Sequence, residues 1–159
     1  MGPGILIKAL LQGSFSLMVF GWAQILMDIQ PLVALITSKG QLHGFSHTYI
    51  GASLIAIAAA LTGKYLSEFG LVMLDIHKKE DKFAIAWWVV FISAFIGTYT
   101  HVALDSIMHS DLQPFYPFEL TNDLLGLIGI STLYKLCLNI GLLGAAIYFS
   151  VRYINRRLK

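Results

Sequence analysis

The chain has 159 residues, of which 57% are apolar and only 13% charged, about half the charged share of an ordinary soluble protein. A domain this small cannot hide so much apolar surface from water, so the composition predicts one transmembrane helical domain over residues 1–159. A net charge of +2 excludes the usual nucleic-acid binder, and the single cysteine, Cys137, excludes an internal disulfide.

The predicted elements form an all-α bundle of about four transmembrane helices. The first span is expected from Gly4 to about Met27 as a retained segment rather than a cleaved leader, because no small-residue cleavage pattern follows it. Asp28 and Pro31 are expected to end it, since proline interrupts the helical ladder. Residues 31–36 are too short to cross a bilayer and read as a re-entrant or interfacial turn, with a loop from Thr37 to Gly40. The second span is expected from near His43 to about Gly63, continued with mixed polarity towards His77. A solvated loop follows at His77–Lys82. The third span reads from Phe83 to about Met108, with Trp87 and Trp88 near one interface. A polar and aromatic connection (His109–Asp123) and a short apolar stretch (Leu124–Ile130) lead to the fourth span, Ser131 to Ile154. Its basic tail reads as a topology determinant. Phe115, Tyr116, Pro117 and Phe118 read as an interfacial anchor.

Four spans put Lys8, Lys64, Lys78, Lys79, Lys82, Arg152, Arg156, Arg157 and Lys159 on one side, leaving only Lys39 and Lys135 of the 11 basic residues on the other. By the positive-inside rule both termini are cytoplasmic.

Three stretches carry ionisable groups at the opposite face. Asp28 closes the first span. His43-Gly44-Phe45-Ser46-His47 opens the second. His101, Asp105 and His109, each four residues apart, form a polar stripe at the end of the third, because such positions share a helix face. An Asp inside a span costs roughly 2.5–3.5 kcal/mol on insertion scales, so it calls for a compensating partner. Imidazole and carboxylate are ordinary ligands of a divalent cation, which supplies that compensation. The expected metal ligands are His47, His101 and Asp105, with Asp28, His43 and His109 as further candidates. Asp28 and His43 are also the candidate catalytic base. Thr98 or Ser106 is expected to orient an imidazole.

These stretches resemble motifs of the family of bacterial inner-membrane proteins typified by YdjM and described as metal-dependent hydrolases. The family's Asp motif is matched by Met27-Asp28-Ile29-Gln30-Pro31. Its His-x-Gly-Phe-Ser/Thr-His motif is approached by His43 to His47. Its Gly-x-x-Ser/Thr-His-x-x-x-Asp motif is matched by Gly97 to Asp105, before the proline-containing turn at Pro114. Three departures stand out. Gln30 replaces a second Asp, one residue is missing between His43 and Gly44, and no histidine precedes His43. The resemblance implies an inner-membrane hydrolase with a divalent metal, zinc or alternatively manganese, acting on an ester or phosphoester. Membrane lipids and a small or lipid-like substrate are the expected partners; nucleic acid is not. The alternative from the residues alone is a small metal-ion or proton transporter, since intramembrane ionisable residues also mark ion routes.

The charge asymmetry generates a topology prediction. Reporter fusions after Lys82 and Lys159 are expected to read cytoplasmic, and fusions near Lys39 and Gln113 external. Lys39 and Lys82 reporting from the same side would refute the four-span arrangement.

Overall fold

The computed structural model describes residues 2–74 and 84–158. The solvated loop expected at His77–Lys82 and the expected start of the third span at Phe83 lie outside the described residues. The fold is all-α: helices α1 (Gly2–Leu11), α2 (Leu17–Thr37), α3 (Tyr49–Met73), α4 (Trp87–Met108) and α5 (Ile130–Arg157), with no strand among the described residues. The last four are long and apolar enough to cross a membrane.

Three boundaries correct the expectations. The apolar N-terminal run is not one span to Met27. It breaks at a 3-10 turn, Gln12–Ser14, where Gln12 adopts the left-handed conformation (φ 46°). Ser16 then starts α2: its Oγ accepts from the Val19 amide at 3.4 Å, and its own amide donates to Ser93 Oγ on α4 at 2.8 Å. Nor do Asp28 and Pro31 end a span. Both lie inside α2, and residues 31–36 are its last helical turns rather than a re-entrant turn. Proline removes one amide donor from the ladder, and membrane helices tolerate that when neighbouring groups re-satisfy the backbone. The second span also begins later than expected, at Tyr49. His43 therefore lies in the preceding loop and His47 in a separate 3-10 turn.

The side-chain pairings set helix directions. Ser16 meets Ser93 and Gln24 meets Gly97 and His101, so α2 and α4 run parallel. Trp22 Nε1 donates to Thr62 Oγ1 at 2.9 Å, while Gln30 meets the Ser46 amide just before α3, so α3 returns antiparallel to α2. The interior is built from small residues: Ala23, Ala52, Ala56, Ala59, Ala60 and Ala94 are all fully buried. Small residues let membrane helices approach closely, where lipid gives little hydrophobic drive to associate. Large apolar side chains such as Leu54, Leu61, Phe69, Leu142 and Phe149 point outward. Helix α5 packs chiefly on α1, with Gly141 against Gly2 and Gly144 against Leu6.

At the end of α3 away from its first turn, buried Lys64 pairs with Glu68 and donates to the Ile85 carbonyl at 2.6 Å. Glu68 accepts from the Ile85 amide at 2.9 Å, which fastens the approach to α4. At the other end, Pro114 in the connection between α4 and α5 accepts the Tyr49 amide at 2.9 Å. That connection is thereby folded over the first turn of α3.

A Cβ added at Gly97 would stand 2.9 Å from Ala23 Cβ and 3.1 Å from the Phe20 carbonyl. Gly97→Val is therefore expected to wedge α2 from α4, separating Asp28 from His101 and lowering thermal stability by about 1–3 kcal/mol, the usual cost of overpacking. Unchanged melting of the variant in detergent would show that the two helices do not depend on this close approach.

Candidate metal centre

Three segments converge at the α3 N-terminus. His47 closes the 3-10 turn Phe45–His47, with Thr48 capping α3 by accepting from the Gly51 amide at 3.0 Å. Gly51 is needed here, because a Cβ would strike the Phe45 carbonyl and approach Ser46 Cα to 3.1 Å. The loop before it is held by Gln30 on α2, whose Oε1 accepts from the Ser46 amide at 3.1 Å. Gly44 admits that side chain, since a Cβ there would collide with the Gln30 amide. The residue standing where the resembled motif has a second Asp thus braces the histidine loop instead of presenting a carboxylate.

His47, His101, Asp105 and Asp28 form an inner group. Asp105 Oδ2 is 3.1 Å from His101 Nε2 and 3.5 Å from His47 Nε2; Asp28 Oδ1 is 3.3 Å from His101 Nε2. Asp28, His47 and His101 each offer a ligand atom within 4.8 Å of the others. The two imidazoles are buried, Asp105 is 15% exposed, and Asp28 forms the open side at 64%.

Hydrogen bonding fixes how the rings face. Gln24 Nε2 donates to the Gly97 carbonyl at 2.6 Å, which turns Gln24 Oε1 towards His101 Nδ1 at 2.9 Å. An amide oxygen only accepts, so His101 Nδ1 carries a proton and Nε2 faces the two carboxylates. A neutral His101 then aims a lone pair at two anions, an arrangement that needs a proton or a cation between them. His47 is held alike: its Nδ1 lies 2.8 Å from Ser46 Oγ, and its buried Nε2 has no hydrogen-bond partner. Burial pushes the His47 imidazole down to about 4, outweighing the attraction of Asp105, so the ring is neutral at pH 7 and keeps a lone pair.

An outer group lies beside it. His43 Nδ1 is 3.0 and 3.1 Å from the two oxygens of Asp111, and its ring stacks on His109 with centroids 4.1 Å apart. The His43 and His47 rings are 5.1 Å apart, edge to face. Burial alone would raise the Asp111 carboxyl; the His43 hydrogen bond and charge outweigh it and hold the carboxyl below its usual range. His109 does not continue the expected stripe of His101 and Asp105. Helix α4 ends at Met108, and His109 is extended (φ −115°, ψ 123°), swinging its ring to His43. Asn122 Nδ2 donates to the Ser106 carbonyl at 2.9 Å and the His109 carbonyl at 3.3 Å, fixing that end.

The orienting hydroxyls expected at Thr98 and Ser106 are spent within α4, on the carbonyls of Phe95 and Val102. The orienting groups are instead Gln24 and Ser46, with Asp111 bound to the outer imidazole. Gln24 had one sequence signal: it lies four residues before Asp28, on the same face of α2.

No protein-family model, curated protein or solved structure matches this chain.

Partners that orient a metal-binding histidine typically carry 10–100-fold in metal affinity. Gln24→Ala is accordingly expected to weaken zinc binding by about that factor, measured by competition with a chromophoric chelator, while Gln24→Glu, which keeps an acceptor, retains most of it. Equal affinity in wild type and Gln24→Ala would remove Gln24 from the site.

Proposed function

We propose that the chain is a membrane-bound, metal-dependent hydrolase of ester or phosphoester bonds. Its ion is held by His47, His101 and Asp105, with Asp28 completing the set or acting as base. The observation that carries this reading is the buried, unpartnered His47 Nε2 facing Asp105. The donor spacing supports it. Separations of 3.1, 3.3 and 3.5 Å bracket the edge of a tetrahedron around zinc, about 3.3–3.4 Å for bonds of 2.0–2.1 Å. Nitrogen and carboxylate donors suit zinc and also manganese.

A bound divalent cation would supply Lewis acidity, polarising the ester oxygen and making water a stronger acid. The chain's own residues do the rest. Asp105 offsets the ion's charge in a setting of low polarity. Gln24 and Ser46 keep both imidazoles aimed inward. Asp28, on the open side, is placed to take a proton from an attacking water, and His43 to assist. The exposed aromatic and apolar groups Phe45, Phe115, Tyr116 and Phe118 near the same end favour a lipid-like substrate presented from the membrane interface. By the distribution of Lys and Arg, this end faces away from the cytoplasm of an inner membrane, with the C-terminus inside. The motif resemblance to the YdjM-like hydrolases agrees with this reading.

A transporter needs polar groups across the full bilayer. Below Gln24 the interior is closed by Phe20, Ala23 and Ala94, all at most 1% exposed, which favours a one-sided site.

Asp105→Asn keeps the shape and removes the charge. It is expected to lose most bound metal and, with it, turnover of a generic ester or phosphoester panel, partly restored by excess zinc or manganese. Wild-type metal content in the variant would take Asp105 out of the ligand set. Ion flux into liposomes without hydrolysis by the wild type would replace the hydrolase reading with the transporter.

A further inference from the structure

The outer group has the makings of a metal centre in its own right. His43, His109 and Asp111 each offer a ligand atom within 4.8 Å of the others. His43 Nδ1 stands at nearly equal distances, 3.0 and 3.1 Å, from both Asp111 oxygens. These are separations that two ligands of one ion adopt when each bond is about 2.0–2.2 Å. The stacked, nearly parallel rings of His43 and His109, 28° apart, can present nitrogen edges side by side. Neither ring is placed by accident: Gln30 braces the loop that carries His43, and Asn122 pins the carbonyl of His109.

The group also opens onto a polar recess. A cavity of about 380 Å³ is lined by His43 and Asp111 together with Gln41, Gln113 and Tyr116, a size within the range of small-molecule sites. An ion here would meet a ligand entering that cavity. The inner group, by contrast, is walled by side chains at most 15% exposed except for Asp28.

We propose that His43, His109 and Asp111 bind a second divalent transition-metal ion, more loosely held than the inner one and exposed to the cavity. The proposal rests on the functional reading only for the inner ion. Nitrogen and carboxylate donors in a half-exposed setting suit zinc or manganese, and the incomplete protein shell leaves positions for water or a substrate oxygen. Paired ions that clamp the attacking and leaving oxygens are an established arrangement in hydrolases.

The test is metal stoichiometry of the full chain in detergent, stripped by chelator and titrated with zinc against a chromophoric competitor. The wild type is expected to take two equivalents, one at least ten-fold tighter than the other. Asp111→Asn and His109→Ala are each expected to lose the weaker equivalent and keep the tighter; His101→Ala is expected to lose the tighter. The retained tight equivalent doubles as the check that the first two variants fold, and the near-isosteric Asp111→Asn guards against disruption of the loop. A single equivalent in the wild type, or two undiminished equivalents in Asp111→Asn, overturns the second site and makes the His43–Asp111 contact a hydrogen bond only. Two equivalents without any hydrolysis uphold the site while overturning the proposed activity. One equivalent with hydrolysis intact does the reverse, and no bound metal overturns both.

Discussion

Gln24 is where helix packing and site chemistry meet. Its amide donates to the Gly97 carbonyl and accepts from His101, so one side chain on α2 both fastens α4 and fixes which imidazole nitrogen faces the carboxylates. The close approach at Gly97, with Ala23 opposite, makes that reach possible. If the two helices stood farther apart, the amide could not span them. Asp28 would then leave His101, and His101 would be free to turn its ring. Much of the inner group's geometry therefore follows from the small-residue seam between α2 and α4.

The same seam accounts for the tolerance of Pro31. A helix held along one side by close packing and side-chain hydrogen bonds loses little when a single amide donor is missing. In return α2 keeps its direction for two further turns past Asp28, long enough to bring Gln30 under the histidine loop. The rule that proline ends a helix is drawn from chains surrounded by water, where freed carbonyls and entropy favour a break. In a helix flanked by neighbours and apolar surroundings, the cost of exposing more backbone outweighs the cost of one lost bond.

How much was legible in the sequence follows from which interactions are local. The all-α class and the long apolar helices were readable, because span length and composition are set by bilayer thickness. So was the pairing of His101 with Asp105, which needs only the pitch of one helix. The start of α2 was not, because Gln12, Gly13 and Ser14 lie within an apolar run and their turn-forming character shows only once Ser16 finds Ser93. Ring placement at His109 departs from the spacing for the complementary reason: four-residue spacing implies a shared face only while the helix continues, and α4 stops one residue short of it. Gln24, Gln30 and Asp111 act across 77, 16 and 68 positions of sequence on His101, the Ser46 amide and His43, so no periodicity could have paired them with these partners.

The division into a buried inner group and an open outer one also bears on what such a centre can do. Two carboxylates gathered on buried imidazoles call for a proton or a metal cation among them, so on the proposed reading the inner group gains most from an ion and releases it least readily. The outer group can satisfy itself without one, because His43 and Asp111 form a hydrogen-bonded pair that water also reaches. That difference in need sets an order of affinities. On the two-ion proposal it also sets a direction: the ion easier to exchange would lie towards the cavity, and the more tightly held ion behind it. A transport path would require the reverse, with the deepest site able to let go towards the far side. Phe20, Ala23 and Ala94, all buried below Gln24, stand between it and the buried Lys64 nearer the far side.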